Sequence, residues 1–507
     1  QGSLSELPGY KERPEQTEVA KQVALGIEKA SNQVIEAGTG VGKSMAYLVP
    51  AILSKKTVLV ATHTKALQDQ LASKDLPFLH KHLMPFKWAV LKGRSNYLCR
   101  LRLNEIQEDV SSGIPRDILT WVEGTEVGDL DSCASMNAEW RAKLSIASDE
   151  CLKRDCPFYD ECYSEKARED ARDARILVVN HALLMADLWL GGNYLHDPEV
   201  IIIDEAHHLE DASSSMLEKT VSVNKIQNLL NARVEKQYIF DRGSAGDALA
   251  IITDWLSDLQ NPAPLVAPQQ GGSLQALWGT DLQTSAAPQA SAVAPGTIIP
   301  YHDPLPGCDE PLSALRIVCD VAERSLADTT LSIVARLGSQ NTAYVHGAIE
   351  NASQRLEREL DNFRDILQAA SDPDIAYWME TGPRYATLKR KPVSAAGFLN
   401  ANLWENEDSS KTIIALSATI STNNNFDYFK HATGAYKAEE TIVGSPFDYK
   451  NNALLYVPQI PPPSGSTDSI ERTQALHAQV LDLADICPGG IFVLCTSWKR
   501  KIGRAHV

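Results

Sequence analysis

The sequence has no long apolar run, no excess of basic residues and few aromatic side chains, and these absences exclude several classes of protein. None of its 507 residues lies in a run approaching the ~18–20 apolar residues of a membrane-spanning helix. The opening residues are polar and charged and lack the apolar core of a signal peptide. Lys and Arg number 48 against 65 Asp and Glu, a net charge of −17 that argues against a broadly basic nucleic-acid coat. We therefore expect a soluble cytoplasmic protein of about three domains, at roughly 150 residues each.

The cysteines are too few for a disulfide framework, and they contain no C-x2-C pair. Cys151, Cys156 and Cys162 form a C-x4-C-x5-C pattern, with Cys99 upstream. Structural zinc sites usually carry at least one C-x2-C pair. The wider spacing favours four thiolates around a larger iron–sulfur cluster, although spacing alone leaves a zinc site or unliganded cysteines open. Cys133, a fifth cysteine in this region, is expected to be a small buried hydrophobic residue.

A phosphate-binding loop is predicted near the N-terminus. Val34-Ile35 reads as a short strand, and Met45-Ala46-Tyr47-Leu48 reads as a helix. The Gly-rich turn between them would point its backbone N–H groups at phosphate, with Lys43 reaching the β- and γ-phosphates and Ser44 ligating Mg²⁺. Ala37 stands where the strict pattern has glycine. The predicted ATP contacts in this loop are Gly38, Thr39, Gly40, Val41, Gly42, Lys43 and Ser44.

The second half of an ATPase site is predicted at Asp204-Glu205-Ala206-His207. The preceding Val200-Ile201-Ile202-Ile203 is a continuous apolar run, typical of a parallel strand covered on both faces. A carboxylate at the end of such a strand can hold Mg²⁺ through water, which is the role predicted for Asp204. Glu205 would orient or deprotonate the attacking water, so the predicted catalytic residues are Glu205 and Lys43.

Two further predicted strands belong to the same pattern. Residues 57–62 form one, followed by a helix over 65–71, and residues 413–419 form another that ends in Ser-Ala-Thr. A tripeptide of this kind carries no information alone. In the order phosphate loop, Thr-rich strand end, Asp-Glu-Ala-His and Ser-Ala-Thr, however, the segments resemble the motifs of superfamily 2 helicases.

Further stretches extend this resemblance over residues 10–496. They are Arg13-Pro14-Glu15-Gln16, Leu91-Lys92-Gly93-Arg94-Ser95-Asn96-Tyr97-Leu98-Cys99, Cys156-Pro157, Val178-Val179-Asn180-His181-Ala182-Leu183-Leu184 and Ser445-Pro446-Phe447-Asp448-Tyr449. On these residues the chain resembles the XPD/DinG family of iron–sulfur DNA helicases, most closely its bacterial branch. The resemblance implies an ATP-driven 5′–3′ DNA helicase of repair or replication, with Gln16 as the adenine contact. It also implies a [4Fe–4S] cluster on Cys99, Cys151, Cys156 and Cys162.

Single-stranded DNA and forked duplex DNA are the expected partners. Cations beside an aromatic residue are typical of sequence-independent single-strand binding. A group of this kind surrounds Cys99, and the family resemblance places Asn180 and His181 beside the DNA path. The cations and the aromatic residue of that group are Lys92, Arg94, Arg100, Arg102 and Tyr97.

The expected fold is α/β: a RecA-like parallel-sheet domain with an inserted iron–sulfur domain, an inserted mainly helical arch domain, and the start of a second RecA-like domain. Residues 375–380 and 385–389 are predicted to be strands returning to the first RecA-like domain, and 489–496 the first strand of the second. The expected parts are RecA-like domain 1 in 1–90, 173–210 and 375–435, the iron–sulfur domain in 91–172, the arch in 211–374 with a flexible insertion at 260–300, and the second RecA-like domain from 436 to 507.

The sequence contains no Gln-x-x-Gly-Arg segment, which in this family supplies arginines to the γ-phosphate. The chain begins at Gln1, and its last six residues match a translated sequencing adapter, so we expect a truncated chain that binds ATP and a cluster without unwinding DNA. Two alternatives remain at this point: an RNA-directed DEAH ATPase, and a non-enzymatic iron–sulfur module that binds nucleic acid.

Overall fold

The computed structural model describes most of the chain, in two compact units that are treated separately, 1–446 and 447–507. The described residues are 12–108, 113–192, 194–234, 237–240, 242–259, 297–301, 305, 307–318, 320–321, 324, 342–367, 372–382, 384–405, 411–460 and 470–486.

A seven-stranded parallel sheet forms the centre of the larger unit, which confirms the α/β fold class. Strands are numbered in chain order, and the three central strands are buried along their whole length, as helices on both faces require. In spatial order the strands are β13 (Glu439–Val443), β1 (Gln33–Ala37), β12 (Thr412–Ser417), β5 (Val200–Asp204), β2 (Val58–Thr62), β4 (Ile176–Asn180) and β3 (Trp88–Val90).

Two apolar cores cover the faces of this sheet, and alternate residues of one strand enter different cores. Val34 and Ile413 point to one face, whereas Ile35 and Ile414 point to the other. The helices of this part of the unit are α1 (Pro14–Lys29), α2 (Lys43–Leu53), α3 (Lys65–Gln70), α4 (Leu76–His82), α9 (His181–Trp189), α10 (Leu209–Leu217), Ala396–Leu399 and Asp427–Thr433. Two π-helical turns, Leu71–Asp75 and Asn400–Trp404, extend α3 and the helix Ala396–Leu399.

Residues 91–172 have a small apolar core of their own. Trp140, Leu144 and Ile118 are buried in it together with Cys133, as expected for that cysteine. The helices of this part are α5 (Arg100–Gln107), α6 (Arg116–Gly124), α7 (Ala138–Leu144) and α8 (Tyr163–Arg172). The segment leaves and rejoins the parallel sheet between β3 and β4.

A four-stranded antiparallel sheet lies within the excursion between β5 and β12. Its strands, in spatial order, are β6 (Lys219–Val221), β11 (Thr387–Pro392), β10 (Ile375–Glu380) and β9 (Ile298–Tyr301). Its largest apolar core is closed by helices α11 (Val223–Leu230), α12 (Arg242–Asp258) and Thr342–Leu367. The two-residue strands β7 (Arg233–Val234) and β8 (Gln237–Tyr238) form a separate pair.

The prediction that residues 375–380 and 385–389 return to the RecA-like sheet is wrong. Strands do form at Ile375–Glu380 and Thr387–Pro392, but they pair antiparallel with each other and belong to the inserted sheet. Apolar side chains on both strands pack on the inserted helices, since Met379 and Leu388 are fully buried in that core. The expectation of a mainly helical arch in 211–374 is also only partly right, because strands β6, β7 and β8 flank α11 there.

The boundary expected at residue 436 needs a second correction. Strand β13 pairs in parallel with β1, from Gln33 opposite Glu439 to Ala37 opposite Val443, and therefore completes the first sheet. The described part of the smaller unit contains the helices Tyr449–Asn452 and Ile470–Ile486. The strand predicted at 489–496 and the insertion predicted at 260–300 fall almost wholly outside the described residues. No helix in the described ranges is both long and apolar enough to span a bilayer.

Candidate nucleotide site and cysteine cavity

The predicted phosphate loop joins β1 to α2. Gly40 and Gly42 have φ angles of 79° and 85°, in the left-handed region that favours glycine, and this turns the loop back onto the start of α2. Gly38 lies against Ser445, just after β13, where a Cβ would come within 3.1 Å of the Ser445 Cα atom. A side chain at Gly38 would therefore push the two segments apart.

Two side chains at the N-terminal end of α1 donate hydrogen bonds to the backbone of the phosphate loop. The Gln16 side-chain amide donates a hydrogen bond to the Gly42 carbonyl at 3.0 Å, and Arg13 donates to the Gly40 carbonyl at 2.9 Å. The side chain of Gln16, which is predicted to contact adenine, thus contacts the backbone of the phosphate loop. The sequence motif that contains Arg13 predicts no role for this residue.

The predicted Mg²⁺ ligand Asp204 is buried at the end of β5. Tyr47 donates a hydrogen bond to Asp204 Oδ2 at 3.1 Å, and Ser44 is hydrogen bonded to Tyr47 in turn. Burial and the neighbouring Glu205 carboxylate raise the pKa of Asp204 to about 6. The two predicted Mg²⁺ ligands are therefore linked through Tyr47, a residue that sequence reasoning missed.

The two predicted catalytic residues lie together. Lys43 Nζ is 3.5 Å from Glu205 Oε1. Glu205 has a φ angle of 52°, a left-handed conformation that directs its side chain toward the end of β12. There Ser417 Oγ donates to Glu205 Oε2 at 3.3 Å, and His207 Nδ1 lies 2.6 Å from the same hydroxyl. The Ser-Ala-Thr and Asp-Glu-Ala-His segments, more than two hundred residues apart in sequence, thus meet at one carboxylate.

Glu36 is a second residue whose contacts sequence reasoning missed. It precedes the loop on β1 and accepts hydrogen bonds from the backbone N–H groups of Ile420 and Ser421, at 2.8 and 2.6 Å. The Ser421 hydroxyl donates to its other oxygen at 3.0 Å. The phosphate-loop strand therefore fixes the segment that follows Ser-Ala-Thr.

The structure does not support DNA contact by His181. Its side chain is buried, and Nε2 lies 2.8 Å from the Asp204 carbonyl, so it braces the end of β5. Burial lowers the pKa of His181 to about 4. Asn180 caps α9 by accepting a hydrogen bond from the Leu183 N–H.

The four predicted cluster ligands line one cavity in residues 91–172. Cys99, Cys151, Cys156 and Cys162 all contribute to its wall, and none of them is in a disulfide. Backbone N–H groups also reach these sulfurs, as from Lys153 to Cys151 at 3.4 Å. Burial raises the pKa of the Cys99 thiol to about 11. In the described part of the chain no three His, Cys, Asp or Glu side chains are close enough to hold a single metal ion.

This donor set fits an iron–sulfur cluster in its chemistry. Cluster irons take thiolate ligands, and hydrogen bonds to the sulfurs are a usual feature of such sites. Four thiols on one cavity wall, with backbone donors aimed at them, provide both.

Lys92 and Arg94, two of the cations around Cys99, are buried and so are not exposed for contact with DNA. Lys92 is buried and paired with Asp129 at 2.7 Å and Asp69 at 3.1 Å, and Arg94 is buried against Glu165 at 2.6 Å. A buried cation is stable only when paired, which these carboxylates achieve. The other members are also engaged: Arg100 donates to the Tyr163 hydroxyl, Arg102 pairs with Glu105 and Glu150, and Tyr97 is buried with its hydroxyl accepting from the Lys92 N–H.

Known helicases are similar to this chain. A DEAD/DEAH box helicase family model matches residues 13–132. The chain is 32% identical over 514 residues to the ATP-dependent DNA helicase YoaA of Escherichia coli, covering 97% of this chain and 72% of that protein. It is 31% identical to the ATP-dependent helicase DinG of Mycobacterium tuberculosis, covering 94% and 70%. A solved structure titled XPD_Helicase matches with 15% identity and a TM-score of 0.46, covering 85% of this chain and 62% of that one.

Proposed function

Because this chain belongs to the XPD/DinG family of ATP-dependent DNA helicases, we propose that it hydrolyses ATP in response to single-stranded DNA and tracks along that strand from 5′ to 3′. ATP and Mg²⁺ are the cofactors of this family of hydrolases. The observation that carries the proposal is the meeting of Lys43, Glu205 and Ser417 beside the buried Asp204.

Each residue of this site has a proposed role. Residues 38–42 and the start of α2 hold the phosphates, and Lys43 neutralises the β- and γ-phosphates. Ser44 and Asp204 hold Mg²⁺. Glu205 orients the attacking water, a role supported by its contact with Lys43. Gln16 contacts adenine and ties the base to the loop through Gly42.

Cys99, Cys151, Cys156 and Cys162 would hold a [4Fe–4S] cluster, which is supported by their common cavity and their backbone donors. When bound, such a cluster supplies four covalent ties that stiffen a small domain, and a redox-active centre. The proposed partition follows: an iron–sulfur domain in 91–172, and an arch domain formed by the antiparallel sheet and its helices.

Single-stranded DNA and forked duplexes are the proposed substrates, in bacterial cytoplasm and in DNA repair or replication. An RNA-directed ATPase is the alternative, and competition between single-stranded DNA and RNA of equal length distinguishes the two.

A nucleotide-binding measurement tests the ATP site. We expect a fluorescent, non-hydrolysable ATP analogue to bind in a Mg²⁺-dependent manner, and Lys43→Ala to weaken binding at least tenfold. Lys29→Ala, an exposed lysine at the end of α1, serves as the matched control. Equal binding by the two variants would remove the phosphate-loop assignment.

Iron and acid-labile sulfide counts after anaerobic purification test the cluster. About four irons per chain are expected, with loss of iron in Cys156→Ser. Cys308→Ser, a half-buried cysteine outside the cavity, should keep the wild-type count. One zinc per chain and no sulfide would contradict the cluster.

A further inference from the structure

Four histidines cluster beside the nucleotide site. His63, directly after β2, stacks on His208 with ring centroids 3.6 Å apart and an interplanar angle of 17°. His208 contacts His207 at 3.9 Å, and His207 reaches the Ser417 hydroxyl. The ring centroids of His181 and His63 are 5.8 Å apart. Of these rings, His207 and His181 already have contacts with the catalytic segments, whereas His63 and His208 have no role in the site described above.

The contacts form a continuous path from the surface to the catalytic carboxylate. His63 is exposed, whereas Thr62 before it is completely buried, so the ring stands at the point where β2 leaves the core. From His63 the path runs through His208 and His207 to Ser417 and Glu205. A second arm runs through His181 to the Asp204 carbonyl. A displacement of the His63 ring would therefore be transmitted to the Glu205 carboxylate and to the backbone of Asp204.

The stack is formed by neutral rings near neutral pH. Burial is the main cause that lowers the pKa of His63 and of His208, and the neighbouring His208 ring lowers that of His63 further. The other charged groups facing the pair are Glu205 and Asp211, which act in the opposite sense, and His207, which acts with burial on His208. Two uncharged, nearly parallel rings attract each other by dispersion, so a movement of one ring displaces the other.

His63 also lies at the edge of the parallel sheet where ligands bind in this class of fold. The carboxyl ends of parallel strands share one edge of the sheet, where ligands of open α/β sheets bind. The phosphate loop, Asp204 and His63 all follow strands on that edge. An exposed aromatic ring there is a surface on which a nucleic-acid base can stack.

Building on the proposed function, we propose that His63 is a positioning residue that couples single-stranded DNA to the ATP site. A base or sugar resting on His63 shifts the His63–His208 stack, and His207 and Ser417 pass the shift to Glu205. Because coupling between two binding sites is reciprocal, nucleotide binding alters DNA affinity by the same factor.

The test measures this coupling without needing hydrolysis. The dissociation constant of a fluorescent AMPPNP analogue is determined with and without saturating dT20, in the presence of Mg²⁺. We expect the two constants to differ by at least about fivefold in the wild-type chain, the low end of usual coupling factors. In His63→Ala the factor should fall to near one at saturating dT20, while the affinity for the nucleotide alone stays within about twofold of wild type.

His63→Phe and His431→Ala are the matched variants. Phenylalanine keeps an aromatic ring on His208, so His63→Phe should retain most of the coupling factor. His431 is exposed and lies outside the cluster, so His431→Ala should behave as wild type. A wild-type factor in His63→Ala, or no coupling in a wild-type chain that binds both ligands, would overturn the proposal. Failure of the wild-type chain to bind either ligand would instead contradict the proposed function.

Discussion

The hydroxyl of Tyr47 donates a hydrogen bond to Asp204 at 3.1 Å in a place where both side chains are almost completely buried. Burial favours the protonated form of Asp204, and its pKa is raised to about 6. The Tyr47 hydrogen bond acts against this, because it stabilises the carboxylate. Tyr47 thus keeps Asp204 in the charged form that a Mg²⁺ ligand needs.

Tyr47→Phe should therefore weaken Mg²⁺-dependent nucleotide binding. A hydrogen bond to a charged group contributes roughly 1.5 kcal/mol or more, so we expect about a tenfold higher Mg²⁺ midpoint. The effect should be larger at pH 6 than at pH 8, because loss of the bond raises the pKa of Asp204 further. A Mg²⁺ titration of nucleotide fluorescence at both pH values checks this, and equal midpoints for both proteins at pH 6 would contradict it.

Glu36→Ala should loosen the segment after Ser-Ala-Thr. It removes the acceptor for two backbone N–H groups, at an expected cost of about 1–3 kcal/mol for each donor left without a partner. Hydrogen exchange at Ile420 and Ser421 should accelerate strongly. Glu28→Ala, an exposed glutamate on α1, is the control and should leave exchange at these amides unchanged. Wild-type protection in Glu36→Ala would show that other contacts hold the segment.

Arg94→Leu should destabilise the cysteine-containing region and leave the salt dependence of DNA binding as it is. The variant removes the shorter of the two ion pairs of the partly buried Glu165 and leaves only its 3.5 Å contact with Arg168, and breaking a buried pair costs about 3–5 kcal/mol. The expected result is a lower melting temperature, with partial recovery in the double variant Arg94→Leu/Glu165→Leu. A reduced salt slope for DNA binding, with unchanged melting, would restore Arg94 as a phosphate contact.

Arg355 should hold the loop that carries Cys151. It lies on the long inserted helix and donates to Glu150 at 2.8 Å, and its Nε is 3.4 Å from Asp149. In Arg355→Ala, hydrogen exchange over residues 147–156 should increase several-fold. Arg358→Ala is the control. Arg358 is more than half exposed and its contact with Asp149 is longer, at 3.7 Å, and exposed ion pairs contribute little to stability. Equal exchange in both variants would show that this contact does not order the loop.

His181 should make the larger unit less stable as the pH falls. Its pKa is about 4 in the folded chain against about 6.5 when unfolded, so the unfolded chain binds more protons between these values. Stability contributed by the neutral ring is complete above pH 6.5 and is lost as the pH falls toward 4. Histidine-selective NMR, with His181→Asn for assignment, should show one resonance titrating near pH 4. A midpoint near 6.5 would contradict the buried placement.

The sequence predicted the parts of the site that depend on local pattern. The phosphate loop needs consecutive residues in one turn, and Asp204 needs only an apolar strand before it, so both could be identified from neighbouring residues. The contacts of Tyr47 and Glu36 could not, because each depends on a partner far away in the chain that only the packed sheet brings near.

Ion-pair partners and strand partners could not be predicted for the same reason, because they too lie far apart in the sequence. Lys92 and Arg94 look like a cationic patch in the sequence, since their partners Asp129 and Glu165 lie 37 and 71 positions later. Residues 375–380 and 385–389 were correctly predicted to be mostly strand, but a strand's sequence does not say which sheet it joins. Strand β13 is a similar case, because its partner β1 lies at the other end of the unit.

The order of the sheet also has a consequence for synthesis on the ribosome. Both neighbours of β1, which are β12 and β13, emerge about 380 or more residues after it. At 5–20 residues per second, the phosphate-loop strand waits roughly 20–75 seconds for its first hydrogen-bonded neighbour. During that interval Val34 and Ile35 form an apolar segment with open backbone groups on both sides. The nucleotide site is thus among the first parts of the chain to be made and among the last to be assembled, which makes the nascent chain a client for chaperones.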